Sequence, residues 1–411
     1  MTFDHLGLSA DLLRTVAEEG YLEPTPVQAE AIPLVLAGRD VLAGAQTGTG
    51  KTAAFVLPIL ERLRHHASTS FSPARHPVRV LILVPTRELA MQVDQSVRTY
   101  GRTVPLRSTV VYGGVPLEPQ IKALRAGVEI LVATPGRLLD LVGQRAANLG
   151  QVEVLVLDEA DRMLDMGFIP DIRRIVALLP ERRQNLLFSA TFSDEIRRLA
   201  AEFLRLPATV QVTPRNTAAT NVEQLLYPVD RDRKEELLLH LLRQDRMEQV
   251  LVFTRTKLAA SRLASYLDRR GVAAVAIHSD RSQPERTRAL DEFKRGEIQV
   301  LVATDVASRG LDIEELPYVV NFELPFDPQD YIHRIGRTGR AGATGLAISL
   351  VCMDEVDLLR GVQRLLRRAI PYRVVEGFIP DRTAEPRPVG RVDGHHLRRK
   401  PMHRRTAGAH R

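Results

Sequence analysis

Two short stretches of this chain occur twice. LVPTRELA at 83–90 returns as LVFTRTKLA at 251–259, and EILVATPGR at 129–137 returns as QVLVATDVA at 299–307. The shared threonines are displaced by 168 and 170 residues, in the same order. One such match is common among apolar strands. Two at nearly one offset indicate a duplicated domain and make Thr86 and Thr134 the counterparts of Thr254 and Thr304. Each stretch is built on a continuous Val, Ile and Leu run, the pattern of a strand buried on both faces. VEVLVLD and NLLFSAT in the first half, and VAAVAIH, YVVNFEL and GLAISLV in the second, are further runs that alternate with helical patterns. The expected fold class is α/β, with two tandem parallel-sheet domains. A length of 411 residues suits two domains and extensions.

The Pro- and Asn-containing stretch LPATVQVTPRNTAATNVEQ is the natural linker between the halves. The end of the chain, residues 381–411, holds nine Arg and Lys against three Asp and Glu, so it carries +6 of a net charge of +7. With Pro and Gly throughout and few large apolar residues, it reads as a disordered tail. Its LRRK and HRR clusters favour a nucleic-acid tether over a merely solubilising end. No apolar run approaches membrane-spanning length, and the opening MTFDHLGLSADLL lacks a signal peptide's basic start. The single Cys352 forbids an internal disulfide and sits in an apolar run, as a core residue does. A cytoplasmic protein is expected.

AQTGTGKT at 45–52 follows the short apolar DVLAG and precedes a helical pattern. Glycines near a helix start let backbone N–H groups face a phosphate chain, Lys51 can reach the outer phosphates, and the Thr52 hydroxyl can hold Mg²⁺. Ala45 stands where the general pattern has its first glycine. The chain has six Lys among 57 basic residues, yet Lys stands at 51. A compact ammonium fits where a forked guanidinium would not. This site gives meaning to VLVLDEADRMLDMGF at 154–168, where a buried strand runs into Asp158, Glu159 and Asp161. Acids there also suit a helix N-terminus. With a phosphate loop upstream, Asp158 becomes the metal acid and Glu159 the group that orients and deprotonates the attacking water. Asp161 is too far along for either task and is expected to pair with a basic or hydroxyl group.

In order along the chain, YLEPTPVQ, AQTGTGKT, PTRELA, Gly113-Gly114, TPGR, DEAD, SAT, VFTRT, ATDVASRGLD and HRIGRTGR resemble the DEAD-box ATP-dependent RNA helicases over residues 1–350. LGLSADLL, AQTGTGKT and VEGFIPD are most similar to the bacterial RhlE-like branch. The resemblance implies two RecA-like domains with ATP and Mg²⁺ in the cleft between them. It divides the chain into an adenine-recognition segment at 1–29, an ATP-binding domain at 30–209, a linker at 210–221, a second domain at 222–375 and a basic tail at 376–411.

The same resemblance assigns Gln28 to adenine, whose adjacent donor and acceptor suit an amide, Phe3 to stacking on the base, and Asp312 to the ribose. Ala45, Gln46, Thr47, Gly48, Thr49, Gly50, Lys51 and Thr52 enclose the phosphates. Arg337 and Arg340 become arginine fingers. The four basic residues and two glycines of HRIGRTGR make a poor solvated helix and suit phosphate contacts. Ser189 and Thr191 become links between nucleotide and nucleic acid, although small hydroxyls there equally suit a strand end, and His333 becomes a contact to the first domain.

Arg87, Gly114, Thr134, Gly136, Arg137, Thr254, Gln283 and Thr304 are similar to family residues that grip RNA. Such groups bind sugar and phosphate without reading bases, and the choice of RNA over DNA comes from the resemblance alone. Ser279 and Phe322 depart from the family's usual Gly and Tyr. The expected activity is RNA-stimulated ATP hydrolysis that locally opens short duplexes, with single-stranded and short duplex RNA as substrates and ribosomal or RNA-decay complexes as surroundings.

Overall fold

A computed structural model of the chain describes residues 2–45, 49–211, 222–305, 316–339 and 345–381. Its strands fall into two all-parallel sheets. The first contains β1 (Val41–Gly44), β2 (Val80–Leu83), β3 (Ser108–Val111), β4 (Ile130–Ala133), β5 (Val154–Leu157), β6 (Gln184–Ser189) and β7 (Ala208–Gln211), in the order β3-β4-β2-β5-β6-β1-β7. The second contains β8 (Val222–Pro228), β9 (Val250–Thr254), β10 (Ala274–Ile277), β11 (Val300–Thr304), β12 (Tyr318–Asn321) and β13 (Gly345–Val351), in the order β10-β11-β9-β12-β13-β8. Taken in chain order, β8 to β13 repeat the arrangement of β1 to β6, and β7 is an addition at the edge of the first sheet. The sequence pairs are therefore β2 with β9 and β4 with β11, at matching places in two copies of one topology.

The apolar runs explain why these strands lie inside. All residues of β1, β2, β4, β5, β6, β9 and β11 are buried, with helices packed on both faces of each sheet as parallel pairing requires. On the first sheet, one face carries Val80, Ile82 and Val156 against the helices Pro26–Leu36, Lys51–Leu63 and Arg87–Tyr100, and the other carries Leu81, Leu83 and Leu155. Local signals fix the helix starts. Thr86 caps Arg87–Tyr100 by accepting from Leu89 N at 3.3 Å, and Thr25 with Gln28 forms a capping box at Pro26.

Two expected boundaries shift. The linker expected from 210 begins later, because Val210 is buried and Gln211 still pairs with Gly44 on β1; residues 212–221 lie outside the described residues. The tail expected from 376 also begins later. The stretch 371–381 is laid against the second domain: Leu226 N donates to Pro371 O and Arg373 N to Leu226 O, both at 2.8 Å. Phe378 then lies under the Arg233 guanidinium at 4.5 Å and beside the His240 ring at 5.5 Å. An aromatic ring with two such neighbours belongs to the fold. Residues 382–411, the rest of the expected tail, lie outside the described residues.

Candidate active site and RNA interface

The residues singled out in the sequence gather at the C-terminal ends of the strands, where a parallel sheet places its ligand crevice. Gly44 ends β1 beside Ser189 of β6, and Ala45 N donates to Ser189 O at 3.1 Å. The chain enters the helix Lys51–Leu63 through Gly50, which has φ +86. A Cβ at Gly50 would lie 2.3 Å from Gln28 Nε2, so only glycine fits here. Lys51 opens the helix, and its ammonium is buried with no hydrogen-bond partner. A buried cation at a helix N-terminus, with no partner among the described residues, is suited to hold an anion.

Asp158 faces the same place from the end of β5, held by Asp158 N to Leu83 O at 3.0 Å, with its Oδ1 accepting from Glu159 N at 2.9 Å. Burial pushes its carboxyl up to about 6; Lys51 works against that shift, and Glu159 and Asp161 add to it. Glu159 has left-handed backbone (φ 53) and its Oε2 accepts from Arg162 at 2.6 Å. Asp161 turns the other way. Its Oδ2 accepts from Ala190 N at 3.1 Å and from the Thr191 hydroxyl at 3.4 Å, so the acid expected to find a hydroxyl partner meets Thr191. Ser189 Oγ accepts from Thr191 N at 3.3 Å. One strand end thus joins β1, the acidic turn and the SAT stretch.

Asp161 and Thr191 also line a cavity of about 470 Å³ whose opposite wall, Asp327, Asp330 and His333, comes from the second domain. Behind it, Arg334 is buried. It makes a two-pronged pair with Asp305 at 2.6 and 2.7 Å, donates to Asn321 Oδ1 at 3.1 Å and to Glu323 O at 2.6 Å, and lies over Phe253 at 5.0 Å. Arg337 follows in the next turn and is also buried.

The RNA candidates sit along the same rim. Arg87 passes so close to Gly114, φ +79, that a Cβ there would lie 2.1 Å from its guanidinium. Thr134 precedes the helix Pro135–Gly143, whose Gly136 faces open space. Arg137 donates to Val115 O at 3.1 Å while its second terminal nitrogen is buried without a partner. In the second domain Thr304 and Thr254 are direct partners across β11 and β9.

Some expectations need correction. Phe3, assigned to stack on the base, is buried in the first domain's core, because the short helix Phe3–Leu6 folds its apolar face onto Pro26–Leu36. Gln28 uses its amide within the chain: Oε1 accepts from Thr25 N at 2.9 Å and Nε2 donates to Gly50 O at 3.2 Å. A second lone pair and a second hydrogen stay available. Thr254 is fully buried with its hydroxyl on Thr256 O at 3.2 Å, so here it does not face outward. Gln283 is not open either; it donates to Glu88 at 3.3 Å. Gln46, Thr47, Gly48, Asp312 and Arg340 lie outside the described residues.

Sequence reasoning passed over Glu88 and Arg286. Arg286 meets Glu88 at 2.7 and 2.8 Å, both buried, 198 residues apart and in different domains. It also left Arg334 and Asp305 without roles, although both stood inside quoted motifs.

The place of Lys51 in the second copy is taken by Lys234, the first residue of the helix Lys234–Gln244 after β8. That ammonium is not open. It pairs with the fully buried Glu355 and donates to Phe322 O at 2.8 Å, and Arg255 reaches Glu355 at 3.5 Å.

Fold and site together define a duplicated nucleotidase in which one sheet keeps an open phosphate site and the other is joined to it at the rim. Residues 25–199 match the family model described as DEAD/DEAH box helicase, and 233–342 match the helicase conserved C-terminal domain. The chain is 44% identical to the DEAD-box ATP-dependent RNA helicase CshA of Geobacillus kaustophilus over 367 residues, 89% of this chain and 77% of that protein. It is also 44% identical to the CshA of Streptococcus pneumoniae strain TIGR4 over 382 residues, 92% of this chain and 71% of that one. Among solved structures, Dbp5 of S. cerevisiae bound to RNA and ADP BeF3 superposes with a TM-score of 0.77 at 32% identity, covering 92% of this chain and 95% of that one.

The chain belongs to the DEAD-box ATP-dependent RNA helicases. It is an RNA-stimulated ATPase of two RecA-like domains. The CshA relatives are of another branch than the RhlE-like one, which gains no support from them.

Proposed function

We propose that this helicase binds the ATP phosphates at Lys51 and hydrolyses ATP with Glu159, using the second domain to supply Arg337 and Arg340. The observation that carries this reading is the buried, partnerless Lys51 ammonium beside the Asp158 carboxylate. Thr49, Gly50 and the loop before them would present backbone N–H groups to the phosphates.

A magnesium ion fits the donors present. Among the described residues no cluster of three or more His, Cys, Asp or Glu is arranged to hold a metal by itself. One carboxylate and one hydroxyl, Asp158 and Thr52, match a hard cation that takes its remaining oxygens from phosphates and water. It would neutralise charge between the outer phosphates. Glu159, held by Arg162, orients the attacking water and takes its proton. Asp161 and Thr191 pass a shift of the acidic turn to the cavity wall at His333. RNA is gripped along the rim by Arg87, Gly114, Thr134, Gly136, Arg137 and Thr304, with Thr254 and Gln283 joining once the rim rearranges, and Gln28 reads adenine with its remaining donor and acceptor. We place the protein in the cytoplasm, in keeping with its likeness to bacterial RNA helicases.

The deciding experiment compares ATP turnover with RNA and with DNA of equal length, alongside displacement of a short strand from an RNA duplex. Stimulation by RNA with ATP-dependent displacement is expected. Equal stimulation by DNA would overturn the substrate, and stimulation without displacement would leave an ATP-gated clamp.

The raised Asp158 carboxyl makes nucleotide binding pH-dependent. Its folded value near 6 exceeds the usual 3.8, so any stability it lends the nucleotide-free fold is present below the unfolded value and lost as pH rises through about 6. A metal ligand must be ionised. The rise in melting temperature on adding magnesium nucleotide is therefore larger at about pH 7.5 than at about pH 5.5. Equal rises at the two values would remove Asp158 from the metal.

The contact between Glu88 and Arg286 should be a working part of domain closure. Arg286→Glu is expected to lower RNA-stimulated turnover by about 30-fold or more, since it places like charges in a buried contact. Adding Glu88→Arg should restore much of the loss. A double variant as poor as the single one would show that the pair does not form in solution.

A further inference from the structure

The second domain carries a basic surface that the reading above does not use. The helix Val356–Leu366 buries Val362 and packs Leu358, Leu359 and Leu366 against Tyr331, Ile335 and Ile370. Its other side presents Arg360 and Arg364, and the stripe continues with Arg367 and Arg368, all exposed. Arg360 and Arg364, at i and i+4, share one face of the helix; the helix ends at Leu366, and Arg367, at φ 53, turns the chain before Arg368. From 357 to 375 the sequence has five Arg and a single acid, Asp357, which pairs with Arg360 at 2.8 Å.

Four residues beyond Arg368 stands Tyr372, 72% exposed. Such a ring on a loose end would mean little. Here the backbone on both sides of it is hydrogen-bonded to Leu226, and Leu226 and Tyr372 are parallel bridge partners. Bridge partners point to the same face of a sheet. Leu226 belongs to the cluster under the arginine helix, whereas Tyr227 belongs to the opposite one. Tyr372 is thus held on the arginine side, and four residues of chain keep it within about 14 Å of Arg368.

We propose that this arginine stripe and Tyr372 form a second contact for single-stranded RNA, beyond the rim. The inference rests on the family's RNA substrate. Exposed guanidinium forks on the last turns of one helix and the residues just after it suit phosphates, and a fixed exposed tyrosine offers a platform for one base. Charge complementarity names the occupant, since among the chain's ligands RNA is the extended polyanion. Position agrees. β8 is the edge strand and Tyr372 bridges its outer side, four strand spacings from β9 and five from β11, so Tyr372 lies about 19–24 Å along the sheet from the paired Thr254 and Thr304. A strand lying across the rim would reach it only after several further nucleotides. Short RNA therefore ends before it and long RNA engages it.

The test measures the affinity of the full chain for labelled single-stranded RNAs of about 8 and about 25 nucleotides, over a salt series. Arg364→Glu with Arg367→Glu is expected to weaken the longer RNA by roughly 10–100-fold and to flatten its salt slope by about 0.7 for each phosphate no longer neutralised. Tyr372→Ala should weaken it by about tenfold, the loss of one stacked base. The shorter RNA should show neither change, and Arg364→Lys with Arg367→Lys should keep most of the affinity. The same losses should appear in a chain ending at 381, which separates this surface from the basic tail.

Unchanged affinity and slope for the longer RNA would overturn the proposal and leave the patch to a protein partner. Equal losses for both lengths would overturn it too, as damage to the rim or the fold. A wild-type chain with no RNA-stimulated turnover would instead sink the helicase reading itself.

Discussion

Glu159→Gln is expected to leave ATP and RNA binding near the wild-type level while turnover falls by about 10²–10⁴-fold, the usual contribution of a positioned base. The amide keeps an oxygen for the Arg162 guanidinium, which now donates to Glu159 Oε2 at 2.6 Å, and it loses only the basicity. The backbone adds a second reason to choose this change. Glu159 sits at φ 53, a strained position for any side chain, and glutamine fits it no worse than glutamate. Binding is read by nucleotide titration and turnover by phosphate release. Near-normal phosphate release in the variant would assign Glu159 to the ion pair alone and leave the water without its base.

Arg337→Ala should have a comparable or larger effect, but only when RNA is present. Among the described residues the second sheet has no open phosphate site of its own, so its share in hydrolysis is expected to be delivered from outside. A guanidinium brought to the outermost phosphate offsets charge that builds in the transition state, and arginine fingers contribute about 10³-fold or more. RNA-stimulated turnover is expected to fall by that factor, with ATP affinity and the weak RNA-independent rate little changed. An equal fractional loss with and without RNA would mean that closure does not deliver this arginine. Arg334, one turn earlier and locked to Asp305 and Asn321, is the natural contrast: its removal should lower the melting temperature, because it strips a buried partner from Asp305.

The sequence revealed the parts of this molecule that local patterns write down. β2, β4, β5, β6, β9 and β11 were plain because both faces of each are covered, which leaves an unbroken apolar run. β3 was not, since its residues alternate between buried and partly exposed at the edge of the first sheet, and four residues of alternation resemble a loop. β8, the edge of the second sheet, carries the exposed Glu223 for the same reason, and beside it Gln224, which is buried and accepts from the Tyr331 hydroxyl at 3.2 Å. The phosphate loop and the acidic turn were legible because each packs its chemistry into a few consecutive residues.

Glu88 with Arg286, and Asp305 with Arg334, were not legible as pairs. Nothing in a chain announces which carboxylate meets which guanidinium across 198 residues until the sheets fix the geometry. Phe3 failed for a different reason. An aromatic residue near a terminus suits a ligand and a core equally, and its neighbour Leu6 packs into the same core.

The pairing of Lys234 with Glu355 has its own consequence. The second copy has the strand, the helix start and a lysine at the place of a phosphate site, and fills it with an internal counter-ion. One carboxylate makes the two copies unlike: the Lys51 ammonium is left for a ligand, whereas the Lys234 ammonium is plugged from within. A motor with two working sockets would have two fuels to synchronise. With one open phosphate site among the described residues, a single ATP per closure is the expected stoichiometry, to be checked by counting nucleotides bound per chain.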